Sequence, residues 1–421
     1  MTHNYDLIGI GIGPFNLSLA ALSAGVKGLS TRFFEQKKQF EWHSELVFRD
    51  ACMQTTFLKD LVTPVDPTSQ YSFLNYLVQK KRFYAFLNTN RKTITRAEFE
   101  DYCRWTSGEL PNTQFSSGVR EITHDGKHFR VRTDNAESFT PSLCIGTGLV
   151  QHIPEFARDH IGPNCFHAKS NDCRNADLKD KRVVIVGGGQ TGAEIFLNAL
   201  RGKWGEAKSI RWISRRLNLE ALDESTFVND YFTPDYVNRF ATLNQIQKDQ
   251  IVAQQKLSSD GITPTYLEEI YRELYLRTQV DAESTDFEIV TGREMVKLDK
   301  HGDEFNITVR NDVRGEVEHY YGEVTILATG FKNRMPQCLE PILPLIERDA
   351  KDRPILEPSF KMKWSGPAHL NIYAVNFGRH SHGIAEPQIS LMAWRSATIL
   401  NDVLKRDHFS AKDSSPAFIR H

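Results

Sequence analysis

The sequence predicts an α/β fold built from two Rossmann-like dinucleotide-binding domains and a small helical domain. Three observations carry that reading. The apolar run Asp6–Ile10 leads into Gly11-Ile12-Gly13-Pro14-Phe15-Asn16 and then the helical run 17–22. A second apolar run, 181–186, leads into Gly187, Gly189 and Gly192 at G-x-G-x-x-G spacing. Strand, glycine turn and helix start together form a pyrophosphate cradle, because the glycines let backbone approach the ligand and the helix N-terminus faces it. Between later strands, residues 223–280 turn helical and aromatic. The expected division is 1–160 with 325–421, 161–222 with 281–324, and the inserted helical domain 223–280.

Composition agrees with an ordinary enzyme of several domains. The chain has 421 residues, 40% hydrophobic and 25% charged, with a formal net charge of −1. Near-zero charge offers no electrostatic case for nucleic acid. No apolar run approaches ~18 residues, so no membrane span is expected. The start, Met-Thr-His-Asn-Tyr-Asp, shows no signal peptide, and the six cysteines show no C-x-x-C spacing. The expectation is a cytoplasmic protein with reduced thiols.

In order along the chain, the first turn carries Asn16 where a third glycine is usual, so its helix should stand slightly off the strand. Leu29 to Phe34 reads as the next strand, closed by Glu35. That acid lies ~20 residues beyond the turn, where a carboxylate accepts hydrogen bonds from a ribose. The pattern suits the ADP half of FAD, held by Gly11, Gly13, Pro14, Asn16 and Glu35. Residues 71–105 read as helical, with a capping box at Thr95 and Glu98. Residues 113–140 read as strands, and 143–148 as a buried strand ending in a Gly-Thr-Gly crossover. After Gly187, Gly189 and Gly192, the strand 209–214 ends in Arg215-Arg216 rather than an acid. A guanidinium grips phosphate bidentately, which argues for NADP over NAD. Thr265 to Val280 reads as an amphipathic helix with Tyr266, Ile270, Leu274 and Leu276 inward. Phe305–Arg310 and Tyr320–Leu327 read as strands, the latter running into Thr329 and Gly330. His380-x-His382 lacks a third ligand, so no metal is expected.

Two segments resist a purely structural reading. Trp42-His43 is followed by Gln54-Thr55-Thr56-Phe57-Leu58-Lys59-Asp60-Leu61, which mixes polar and apolar residues as a loop over a cofactor does. This chain resembles the flavin-dependent N-hydroxylating monooxygenases, which act on lysine, ornithine or diamines in hydroxamate siderophore biosynthesis. The resemblance covers essentially the whole chain. Ser258-Ser259-Asp260-Gly261 departs from the Asn-rich segment of the ornithine branch and is similar to the lysine branch.

The resemblance implies FAD and NADPH as cofactors, and O2 and a primary amine as reactants. It places Trp42, His43 and Gln54 against the flavin. Gln190, Thr191 and Arg215 fall on NADPH, with Thr329 and Gly330 in the closing turn. Gln54, Lys59, Asn229 and Ser390 fall on the amine. It also implies a homo-oligomer. NADPH would reduce FAD, and dioxygen would give a C4a-hydroperoxyflavin that transfers oxygen to the amine. An alkylammonium, with a pKa of ~10.4, must first lose its proton. No side chain is needed as a nucleophile. Lys59 could meet an amino-acid carboxylate, favouring L-lysine, whereas Asp260 could meet a second ammonium, favouring cadaverine or putrescine. The sequence leans to the diamine. The alternatives are a specific L-lysine N6-monooxygenase, and a non-hydroxylating NADPH flavoprotein or redox sensor. The missing cysteine pair argues against a disulfide reductase, and the missing Phe-x-Gly-x-x-x-His against a Baeyer-Villiger enzyme.

Overall fold

A computed structural model of the chain describes residues 2–43, 48, 51–281 and 286–411. Two parallel five-stranded sheets organise it. The first runs in the order Asn371–Ala374, Ser142–Ile145, Leu7–Ile10, Thr31–Phe34, Thr113–Gln114. Its central strand Leu7–Ile10 is apolar and buried at every position because helices and loops cover both faces. Helices Pro14–Ala24 and Met392–Leu404 pack together there, with the Ser396 hydroxyl donating to Ser18 Oγ at 3.0 Å. The second sheet runs Cys165–His167, Val324–Leu327, Arg182–Val186, Ser209–Ser214, Asp286–Thr291. The chain passes between the sheets twice, and the passages Val150–Gln151 and Phe331–Lys332 pair as a two-stranded ribbon.

The helical insertion closes on its own stem. Leu222 N donates to Ile262 O at 2.7 Å, and Ile262 N donates to Glu220 O at 2.9 Å. Between these ends lie helices Pro234–Ala241 and Gln245–Gln254. The expected capping box is present: Glu98 N donates to Thr95 Oγ1 at 3.1 Å and Thr95 N to Glu98 Oε2 at 2.8 Å.

Several expectations are corrected. The strand expected from Leu29 begins at Thr31. The strand expected over Tyr320–Leu327 is two strands of different sheets, Glu316–Gly322 and Val324–Leu327. Glu323 breaks them: its carboxylate accepts from Arg182 N at 2.8 Å and from the Arg182 guanidinium at 3.1 Å. Because Val324–Leu327 belongs to the second sheet, the chain returns to the first one after Leu327, not at 325. The helix expected over 265–280 is α-helical from Pro264 to Tyr275 and continues as a π turn, Leu276–Val280. Tyr266 and Ile270 are buried as expected, but Leu276, two residues beyond Leu274 and so on the opposite side of the helix, is 42% exposed. Asn16 is tucked in rather than pushing its helix away. It is fully buried, and Nδ2 donates to Gly11 O at 2.8 Å and, more weakly, to Ile10 O and Cys144 O at 3.2 and 3.3 Å. Gly146 makes the room: a Cβ there would lie 2.6 Å from the Asn16 amide.

Candidate active site

The first glycine turn divides its labour. Gly11 has φ +84°, and a Cβ on it would lie 2.7 Å from Gly146 O. A Cβ on Gly13 would meet nothing nearer than 3.9 Å. Gly11 therefore serves the fold, while Gly13 keeps an open approach at the N-terminus of Pro14–Ala24, where a phosphate is favoured. Glu35 sits beside it, accepting from Ile12 N at 2.9 Å and Lys37 N at 3.0 Å. The cradle and the acid fit the ADP half of FAD.

The second turn repeats the arrangement. Gly187 has φ +135° and abuts Ala328 O, and a Cβ on Gly192 would lie 1.9 Å from Gly187 O. Gly189 faces open space, and Gln190 and Thr191 begin the helix Gln190–Leu200. Here too the residues fit a dinucleotide. The two arginines differ. Arg216 Nη2 donates to Asp260 O at 2.6 Å and pairs with Glu220 at 3.2 Å. Arg215 is 69% exposed and touches Glu294 at 3.4 Å, so its guanidinium is the more open to solvent of the two. The Thr329 hydroxyl donates to His152 O, and Gly330 O meets His167 Nε2 at 3.0 Å. These bonds tie the closing turn to His152, next to the crossing ribbon, and to the second-sheet strand Cys165–His167.

The loop after Met53 supplies the third part. Leu58 is 47% exposed, whereas Lys59 turns into a narrow pocket with Phe57, Phe99, Tyr102 and Ile389. Burial pushes the Lys59 ammonium below its ordinary pKa. Asp60 does not neutralise it. The Asp60 carboxylate accepts from Val62 N at 2.9 Å and from Thr63 N, the Thr63 hydroxyl and Phe73 N at 2.7 Å. Lys59 has no ion-pair partner among the described residues. Ser390 lies in the turn Ile389–Leu391, beside the Ile389 that lines this pocket. Trp42 packs edge-on against both His43 and Phe99. Burial, and then Lys169, hold the His43 imidazole well below its ordinary pKa.

Gln54 Nε2 donates to Thr263 Oγ1 at 3.2 Å, so the loop reaches the insertion. Gln190 Oε1 accepts from Thr263 N at 2.9 Å. The structure thus joins Gln54 to Gln190 through Thr263, and Lys59 to the Ser390 turn. Asn229 stands apart, exposed in the turn Thr226–Phe232. Asp260 does not present a free charge, since Arg379 Nη2 donates to its Oδ2 at 3.0 Å. A larger cavity of about 410 Å³ lies within the insertion, between Tyr231, Phe240 and Gln255. Thr263, Arg379, Arg96 and Glu194 go unnoticed in the sequence. Gly261-Ile262-Thr263-Pro264 reads there only as an interruption of the helical stretch, and the partners of the three charged residues are distant in the chain.

Residues 3–333 match the model of the family described as L-lysine 6-monooxygenase/L-ornithine 5-monooxygenase. The chain is 44% identical to L-lysine N6-monooxygenase of Escherichia coli, over 100% of this chain and 99% of that protein. It is similar to the FAD-bound structure of DfoA, a cadaverine monooxygenase of desferrioxamine biosynthesis from Erwinia amylovora, with 27% identity, a TM-score of 0.92 and 99% of each chain covered. It is also similar to the ornithine N-hydroxylase KtzI of Kutzneria sp. 744, solved with reduced FAD, NADP+ and L-ornithine, with 26% identity, a TM-score of 0.87 and 96% and 99% covered. The chain belongs to the L-lysine 6-monooxygenase/L-ornithine 5-monooxygenase family, flavin-dependent N-hydroxylating enzymes that use FAD and NADPH.

Proposed function

We propose that this enzyme hydroxylates the terminal amine of L-lysine in hydroxamate siderophore biosynthesis. One observation carries the choice of substrate. Lys59 places a half-buried ammonium with no ion-pair partner among the described residues in the pocket beside the Ser390 turn. A substrate carboxylate would complete that ion pair, and an amino acid has one where a diamine does not. Asp260, the sequence's argument for a diamine, already faces Arg379. The 44% identity to a lysine enzyme points the same way. Bound flavin, once reduced by NADPH, supplies the activated oxygen. The chain's own residues hold the amine in place and keep water away. Desolvation favours the neutral amine, the form with a lone pair.

On this reading the first sheet carries FAD and the second carries NADPH. No helix among the described residues is long and apolar enough to cross a membrane. A cytoplasmic location and a homo-oligomer complete the proposal. Tyr271 and Tyr275, 76% and 55% exposed and one turn apart on Pro264–Tyr275, suit a contact between copies.

Lys59→Ala tests the substrate. Flavin reduction by NADPH should survive, since hydride transfer does not need the amine. Hydroxylamine formed from L-lysine at low substrate should fall about ten- to hundredfold, the loss of ~1.5–3 kcal/mol of charge-assisted bonding. Hydrogen peroxide should appear instead, and cadaverine should be turned over no worse than by the wild type. Unchanged hydroxylation of L-lysine would remove the carboxylate-binding role.

A further inference from the structure

We propose that Arg96 and Glu194, with Gln190 and Thr263, form a joint that sets the NADPH-binding unit against the flavin-binding unit. Arg96 is the first residue of the helix Arg96–Glu109, whose Phe99 and Tyr102 lie in the core beneath the first sheet. Glu194 lies in Gln190–Leu200, whose Ile195, Phe196 and Leu197 lie in the core of the second. The two side chains meet as a fork, Nη1 to Oε2 and Nη2 to Oε1, both at 2.8 Å. The Glu194 side chain is 1% exposed. A buried carboxylate stripped of its cation is costly, so each unit is held where the other can satisfy it. A bidentate guanidinium pair also fixes orientation as well as distance.

The joint reaches the nucleotide site through Gln190. Its Nε2 donates to Glu194 Oε1 at 2.9 Å, and its Oε1 accepts from Thr263 N at 2.9 Å. The Thr263 hydroxyl donates to the same Oε1 and accepts from Gln54, both at 3.2 Å. Gln190 directly follows Gly189 at the open end of the second glycine turn. Flavin loop, nucleotide helix and insertion therefore converge on one hydrogen-bonded cluster. These four are positioning residues: they act on hydride delivery through the placement of the two cofactors. The inference rests on the two-cofactor reading, under which the nicotinamide must come to the flavin across this boundary.

The test is anaerobic stopped-flow reduction of Arg96→Met, Glu194→Gln and the double variant at saturating NADPH, expressed per bound flavin. Unfolding midpoint and flavin content are recorded for each, and dithionite reduction serves as a reference. A purely structural role lowers the midpoint or the flavin content and leaves the rate per bound flavin alone. The joint predicts a fall of fivefold or more in that rate for each single variant. The double variant should fall no further than the worse single, because the two residues act as one pair. Dithionite reduction should be unchanged. Where a variant yields no folded flavoprotein, Arg96→Lys decides by the same fivefold criterion, since it keeps the charge and loses the fork. A smaller fall in the folded variants overturns the proposal. A wild type that NADPH does not reduce would instead overturn the two-cofactor reading itself.

Discussion

Two neighbouring arginines at one strand end show how far a residue type can be trusted. By residue type alone Arg215 and Arg216 are equal candidates for a phosphate, and only the family resemblance singles out Arg215. In the structure Arg216 is bound to Asp260 O and Glu220 while Arg215 projects outward. Arg215→Ala should therefore weaken NADPH by roughly ten- to hundredfold, the ~1.5–3 kcal/mol of a charge-assisted contact, and leave NADH and folding nearly unchanged. Apparent affinities for both nucleotides measure this, and an equal fall for both would make Arg215 structural. Glycines at fixed spacing were legible in the sequence because the steric demand is local. The role of Asn16 was not, because its room comes from Gly146, far along the chain. Lys59 was legible as a candidate and ambiguous in purpose. The ambiguity narrowed once Asp60 proved to be engaged by backbone amides and a threonine hydroxyl.

At the scale of the element, that same carboxylate holds the active-site loop in shape. Three backbone N–H groups, from Val62, Thr63 and Phe73, end on Asp60, the last being the first residue of the helix Phe73–Gln79. Asp60→Ala would orphan all three in a buried setting and should cost about 2–4 kcal/mol. Asp60→Asn, which keeps one acceptor oxygen, should cost less. Chemical denaturation of the flavin-loaded protein ranks the three proteins, and equal midpoints would mean that water replaces the carboxylate. Helix starts were readable here because capping is written within four residues, as at Thr95 and Glu98. The π turn after Tyr275 and the break at Glu323 were not, because the partners that decide them lie in other elements.

For the molecule as a whole, buried neutral histidines set an acid limit. Burial pushes His167 down to about 4 and His382 to about 3, from an ordinary 6.5. Below pH 6.5 the unfolded chain takes up protons that the folded one refuses. Stability is therefore full above pH 6.5 and is lost as the pH falls toward 4 and then 3, by about 2 kcal/mol per histidine at pH 5. Unfolding midpoints of the flavin-loaded enzyme at pH 7.5, 6 and 5 should fall in that order. His167→Gln should flatten the fall, and an unaltered slope would assign the effect to other groups.

The same whole-molecule view explains why two units were easy to see and their boundary hard to place. Each glycine turn announces its own sheet, but no local signal says that Val324–Leu327 joins the second one. The crossing ribbon then has a consequence for the order of assembly. The first sheet begins at Leu7 and receives its fifth strand, Asn371–Ala374, only after the entire second sheet has been made. The second sheet, spanning Cys165 to Leu327, has all its strands while the first still lacks one edge and the covering helix Met392–Leu404. On the ribosome the nucleotide unit can close while the flavin unit waits, its Ser142–Ile145 edge and the inner face of Pro14–Ala24 uncovered. A chain stopped near residue 360 would thus carry both glycine turns and lack the strand and helix that complete the first domain.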